Sequence, residues 1–182
     1  MVVAPDDGLP DTFLNDTWRV YAHHPSNADW THKSYTPVGI VASVGDFWTV
    51  WNSCVACVDR TMLFFMREHV FPSWDDPACI EGAIASVIVD AGQATAVFRD
   101  IVQRALGETL VAGAAAWTDI NGVSIGPKNG FCVVKVWLAK RDATANHLKL
   151  PPVVDASKVR FQPCRAHIAG ARPATSHCPI GA

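Results

Sequence analysis

Charge is scarce in this chain. Of its 182 residues, 18% are Asp, Glu, Lys or Arg, and the formal net charge at pH 7 is −2. A protein that grips a long nucleic acid neutralises many phosphates at once, and this balance leaves few cations for that work. A nucleic-acid partner would have to be short, or held mainly through a base. Long apolar runs are missing as well. None approaches the roughly 20 residues of a membrane-spanning helix, and none near the first residue carries signal-peptide flanks. No membrane partner is expected, and the reading is a cytoplasmic protein, with a nuclear pool also allowed.

Catalytic signatures are lacking too: there is no Walker loop, nucleophile elbow, HExxH or dinucleotide fingerprint. The acidic residues are scattered, whereas a metal-dependent hydrolase gathers them. Neither an enzyme nor a cofactor is expected. Among six cysteines, only Cys54 and Cys57 have the CxxC spacing. Cys164, His167, His177 and Cys178 could complete a zinc site with them. Without a second CxxC pair, buried or idle thiols are the expectation.

What the chain does have is tryptophan, seven against two tyrosines. Indole offers the largest stacking face of any side chain and is hard to bury completely. Several exposed tryptophans would suit a flat aromatic ligand. Alternation predicts a strand at Thr17–Tyr21, β-branched residues predict one at Val38–Ser43, an apolar run predicts a buried one at Thr61–Arg67, and Ala83–Val89 reads as another. A hairpin of Trp117–Ile125 and Phe131–Ala139 closes through the glycine-rich turn at 126–130, and a last strand falls near Lys158–Phe161. Val44, Phe47, Trp48 and Trp51 repeat at helical spacing. Ala94–Leu106 reads as an amphipathic helix with Gly107 as its cap. Trp30 is stranded in the polar loop His23–Lys33, and Trp74 in the turn Phe71–Pro77. Strands outnumber helices and come in hairpin order, so the class is α+β. Residues 1–12 read as a mobile acidic leader, 13–168 as one domain and 169–182 as a loose tail.

Certain residues in this order resemble a known family. Asp46-Phe47-Trp48, then Phe71-Pro72-Ser73-Trp74-Asp75-Asp76 with Glu81-Gly82, then Leu106-Gly107-Glu108, resemble the translation initiation factor 4E pattern. Trp18, Trp30, Trp137 and Leu148-Lys149-Leu150-Pro151-Pro152 add to the likeness, which covers about residues 12–168. It implies a curved antiparallel sheet of about seven or eight strands, backed on its convex face by two or three helices, the third shortened. It also implies binding of the 7-methylguanosine cap of messenger RNA, by a monomer. Trp30 and Trp74 resemble the pair that sandwiches the base. Asp75 resembles the acidic residue on the guanine edge, and Trp137 the tryptophan near the N7-methyl group. Phe13, Leu14, Val44, Trp48 and Asp100 resemble a dorsal surface that receives a 4G-type scaffold or a 4E-binding repressor. The chain departs from the pattern at Ile84, in place of a tryptophan, and at Ala83, in place of a basic residue. Arg99 and Gln103 make the dorsal helix more polar.

The chemistry fits those roles. N7-methylation makes guanine cationic, so two indole faces provide stacking and cation–π attraction together. A carboxylate accepts guanine N1–H and the N2 amino group side by side. Phosphates need cations, and by period two Lys135 shares a strand face with Trp137. Lys128, in the turn, and Arg172, in the tail, are the other candidates; an ordinary surface charge is the alternative for each. The rival reading is a 4E-like interaction protein or translational repressor with little cap affinity.

Overall fold

The computed structural model describes residues 11–112, 117–141 and 147–165. Arg172, His167, His177, Cys178 and nearly all of the expected leader and tail lie outside them. Seven antiparallel strands form one sheet: β1 (Phe13–His23), β2 (Thr36–Ser43), β3 (Met62–Arg67), β4 (Ala83–Asp90), β5 (Ile120–Pro127), β6 (Phe131–Leu138) and β7 (Arg160–Pro163). Their spatial order is β2-β1-β3-β5-β6-β4-β7. Helices α1 (Val44–Cys54) and α2 (Ala91–Leu106) pack on one face, α1 on β1 and β2, and α2 on β1, β4, β5 and β6.

Period-two alternation decides which side chains meet the helices. Trp18 and Val20 of β1, Leu63 and Phe65 of β3, and Val134 and Val136 of β6 join Phe47, Trp51, Phe98 and Ile101 in the main core. The α1 N-terminus is fixed by Ser43, whose side chain accepts Asp46 N–H at 3.1 Å, while Asp46 accepts Ala42 N–H at 3.0 Å. Its buried stripe is Phe47, Val50, Trp51 and Cys54. Val44 and Trp48, which share the helical repeat with Phe47 and Trp51, turn outward, as the dorsal-surface resemblance implies.

Helix α2 begins three residues earlier than its periodicity predicts and stops at Gly107. The left-handed backbone falls on the next residue, Glu108, at φ 56. Its carboxylate accepts from Arg67 Nη2 at 3.0 and 3.1 Å. Arg67 also donates to Asp16 at 2.7 Å and to the Ile120 carbonyl at 2.7 Å, and lies 4.8 Å from the Trp18 ring centroid. This buried ion cluster ties β1, β3, β5 and the end of α2 together. After β6, the described residues contain the single-turn 3-10 segment Ala156–Lys158 and a helical start at Cys164–Arg165, beyond which a shortened third helix would lie outside the described residues. Leu148, Leu150, Val154 and Val159 nevertheless pack against the main core.

Candidate functional site

The sheet face away from the helices carries a second apolar cluster, built on Tyr35, Phe64, Met66, Ile84 and Trp137. Tyr21, Phe71 and Trp74 pack against it. Strand register arranges this face in rows, because directly opposed residues of antiparallel strands share a side. One row reads Gln162, Ile84, Trp137, Gly122, Met66. The next reads Arg160, Ser86, Lys135, Ser124, Phe64, Tyr21. Lys135 and Trp137 do share this face, as their spacing predicts.

Trp30 sits in the β1–β2 loop, 47% exposed. Its ring lies parallel to His23, with centroids 4.2 Å apart and 10° between planes. His23 is 1% exposed, and its Nε2 meets the Asp29 carbonyl at 2.8 Å and Ser34 Oγ at 3.2 Å. The β3–β4 loop is stitched to this one. His32 stacks on Phe71 at 3.6 Å, and the Tyr35 hydroxyl donates to the Pro72 carbonyl at 3.1 Å. The two tryptophan loops are thus built as one unit. No site role was legible in the sequence for His23, His32, Tyr35 or Phe71, although Phe71 opens the motif around Trp74. The signal was available for His23, which continues the Arg19, Tyr21 alternation two residues past the predicted strand end.

Trp74 is partly buried, edge to face with Trp137 at 6.1 Å, and Lys135 Nζ lies 5.1 Å from its ring centroid. Trp137 is 2% exposed and donates from Nε1 to Ser124 Oγ at 2.9 Å. It therefore forms the floor beneath Trp74, not an open wall. Burial, then the charge of Lys128, pushes the Lys135 amine down to about 8. That coupling brings Lys128 and Lys135 into one electrostatic neighbourhood. Asp75 is exposed and accepts a hydrogen bond from Ser73 Oγ. Asp76 is structural: its two oxygens accept Phe71 N–H at 3.1 Å and Ala78 N–H at 2.9 Å.

On the opposite face, Phe13 is 80% exposed, and Val44 and Trp48 are 41% exposed each. Leu14 is partly buried against the core. Asp100, expected to await a basic partner, is engaged by Arg104 of its own helix at 2.6 Å. The i, i+4 spacing that exposes Asp100 also supplies that partner. The zinc arrangement fails on topology. Cys54 lies in the core under the helices and Cys164 in the cluster across the sheet. Burial pushes both thiols up to about 11, which makes them inert rather than metal-ready.

The profile of the eukaryotic initiation factor 4E family matches residues 13–166. Translation initiation factor 4E-1 from Citrullus lanatus and from Cucumis melo are each 23% identical over 131 residues, covering 68% of this chain and 54% of theirs. The chain therefore spans about half the length of the curated relatives it matches. The fold is similar to that of C. elegans eIF4E-3, solved with the 4E-binding protein Mextli and cap analog. There the TM-score is 0.74 at 16% identity, over 90% of this chain and 98% of that one. Schistosome eIF4E, solved with m7GpppA and 4E-BP, gives 0.73 at 19% identity over 91% and 94%. With most of its length matched by the profile, this chain belongs to the eukaryotic initiation factor 4E family.

Proposed function

We propose that the chain binds the 7-methylguanosine cap on the face away from the helices, with Trp30 and Trp74 as the two stacking surfaces. The observation that carries this reading is the stitching of their loops by His32, Phe71 and Tyr35. A pair of loops fixed to one another holds a two-sided slot at low ordering cost. Stacking contributes roughly 1–3 kcal/mol per base, and the methylated ring adds cation–π attraction. Asp75 takes the guanine edge, with Ser73 orienting its carboxylate. Lys135 and Lys128 take the triphosphate. Family relatives solved with m7GpppA or a cap analog support the assignment.

The dorsal surface of Phe13, Leu14, Val44 and Trp48 is proposed to receive an amphipathic helix of a 4G-type scaffold or a 4E-binding repressor. Relatives solved with Mextli and with 4E-BP support that partner class. Exposed aromatics of this kind are natural anchors for such a helix. The exposure of Phe13 and Trp48 equally favours an interaction protein with weak cap affinity. Retention on immobilised m7GTP separates the readings: elution by free m7GTP but not GTP supports cap binding, and flow-through at low salt sinks it.

A further inference from the structure

The row Arg160, Ser86, Lys135, Ser124 runs from the floor of the slot to the sheet edge at β7. Alternation puts Arg160 on this face, since its neighbour Phe161 packs into the main core on the other side. Two strand spacings, about 9.5 Å, separate the backbones of Lys135 and Arg160. Between them stands only the hydroxyl of Ser86. The adjoining row, Ile88, Val133, Gly126, has no charge. Arg160 is exposed, and no carboxylate among the described residues pairs with it. Beside it a cleft of about 630 Å³ opens along the outer edge of β4 toward α2, lined by Val89, Gln93, Val97, Asp155, Lys158 and Arg160 among others. Pairing with β7 stops at Ser86, which leaves that edge open beyond it. Lys158 is occupied by Asp155 at 3.7 Å, so Arg160 is the cleft's uncommitted cation among the described residues.

We infer that Arg160 binds the first phosphodiester of the RNA beyond the cap triphosphate. This rests on the cap reading above. With Lys135 on the triphosphate, the next phosphate along the chain lies one ribose and its linkages further on. The gap to Arg160 matches that span, with two long side chains reaching from either end. Phosphate contacts position a strand without reading its sequence, so the site is indifferent to base identity.

The test compares m7GpppA, which stops short of Arg160, with m7GpppApG, which adds one phosphodiester, by fluorescence titration across a salt series. Wild type is expected to bind m7GpppApG about five- to tenfold tighter. Arg160→Gln is expected to erase that gain, lower the log–log salt slope by about 0.7, and leave m7GpppA unchanged. Arg160→Lys should restore most of the gain. Lys158→Gln should leave both ligands unaffected. If wild type binds m7GpppA but gains nothing from the phosphodiester, or if Arg160→Gln keeps the gain, this inference is overturned while the cap reading stands. If wild type binds neither ligand, both fall together.

Discussion

Replacing His23 by Ala tests whether the slot is preformed. The imidazole is buried, parallel to Trp30 at 4.2 Å, and bonded to the Asp29 carbonyl at 2.8 Å. An aromatic pair contributes about 0.5–1.5 kcal/mol beyond its buried area, and a hydrogen bond about 0.5–1.5 kcal/mol. Their loss frees Trp30 to sample other rotamers, and part of that ordering cost then appears in binding. The expected fall in m7GTP affinity is about tenfold, or 1.4 kcal/mol, read by quenching of tryptophan fluorescence. His23→Phe keeps the stacking face. It also removes the buried Nδ1, which has no partner among the described residues, so affinity within about threefold of wild type is expected. In a Trp30→Ala background, His23→Ala should cost nothing further, because its effect runs through Trp30. Equal affinity of His23→Ala and wild type, with Trp30→Ala impaired, would refute the reasoning.

Asp75→Asn replaces an acceptor by a donor facing guanine N–H groups, so m7GTP affinity should drop at least about tenfold. Asp76→Ala should instead lower the melting temperature, since two loop N–H groups lose their acceptor. Lys135, depressed to about 8 by burial and by Lys128, carries its charge below that pH and loses it above. The phosphate-dependent part of m7GTP binding, measured against the m7G nucleoside, should therefore weaken as pH rises through 8. Lys135→Arg should remove that dependence. Arg67→Met leaves Glu108 and Asp16 without their cation and should cost about 3–5 kcal/mol in a denaturant titration. Trp48→Ala should abolish capture of a 4E-binding helical peptide while m7GTP titrates as in wild type; retained capture would remove the dorsal assignment.

Strands were visible in the sequence as alternation where one face is buried, as in β1, and as a continuous apolar run where both are, as in β3. The boundaries were less so. The β1 strand runs on to His23 because His23 is buried beneath Trp30, and a histidine followed by His24-Pro25 looks like the start of a loop. The 3-10 turn Trp117–Asp119 displaces the predicted start of β5 to Ile120. Helix α1 was legible in extent, but the outward turn of Trp48 came from the family resemblance and not from the helical repeat, since Phe47 and Trp48 are adjacent aromatics and only packing chooses which one turns inward. In the candidate site, the indoles of Trp30 and Trp74 and the shared face of Lys135 and Trp137 could be read from local sequence. What joins the two loops could not. His32 and Phe71, or Tyr35 and Pro72, meet only after the chain has paired β1 with β2 and β3. The Asp100–Arg104 pair was within reach of the i, i+4 rule; the acidic residue was matched to a partner protein instead.

The measurement closest to the central claim is a pair of fluorescence titrations of wild type with m7GTP and with unmethylated GTP. Two indoles against a cationic ring predict strong quenching and tight binding of m7GTP, with GTP weaker by at least tenfold, about 1.4 kcal/mol. Trp30→Ala and Trp74→Ala should each bring the two ligands toward equal, weak affinity. Wild type binding m7GTP and GTP equally, or binding neither, would contradict the account.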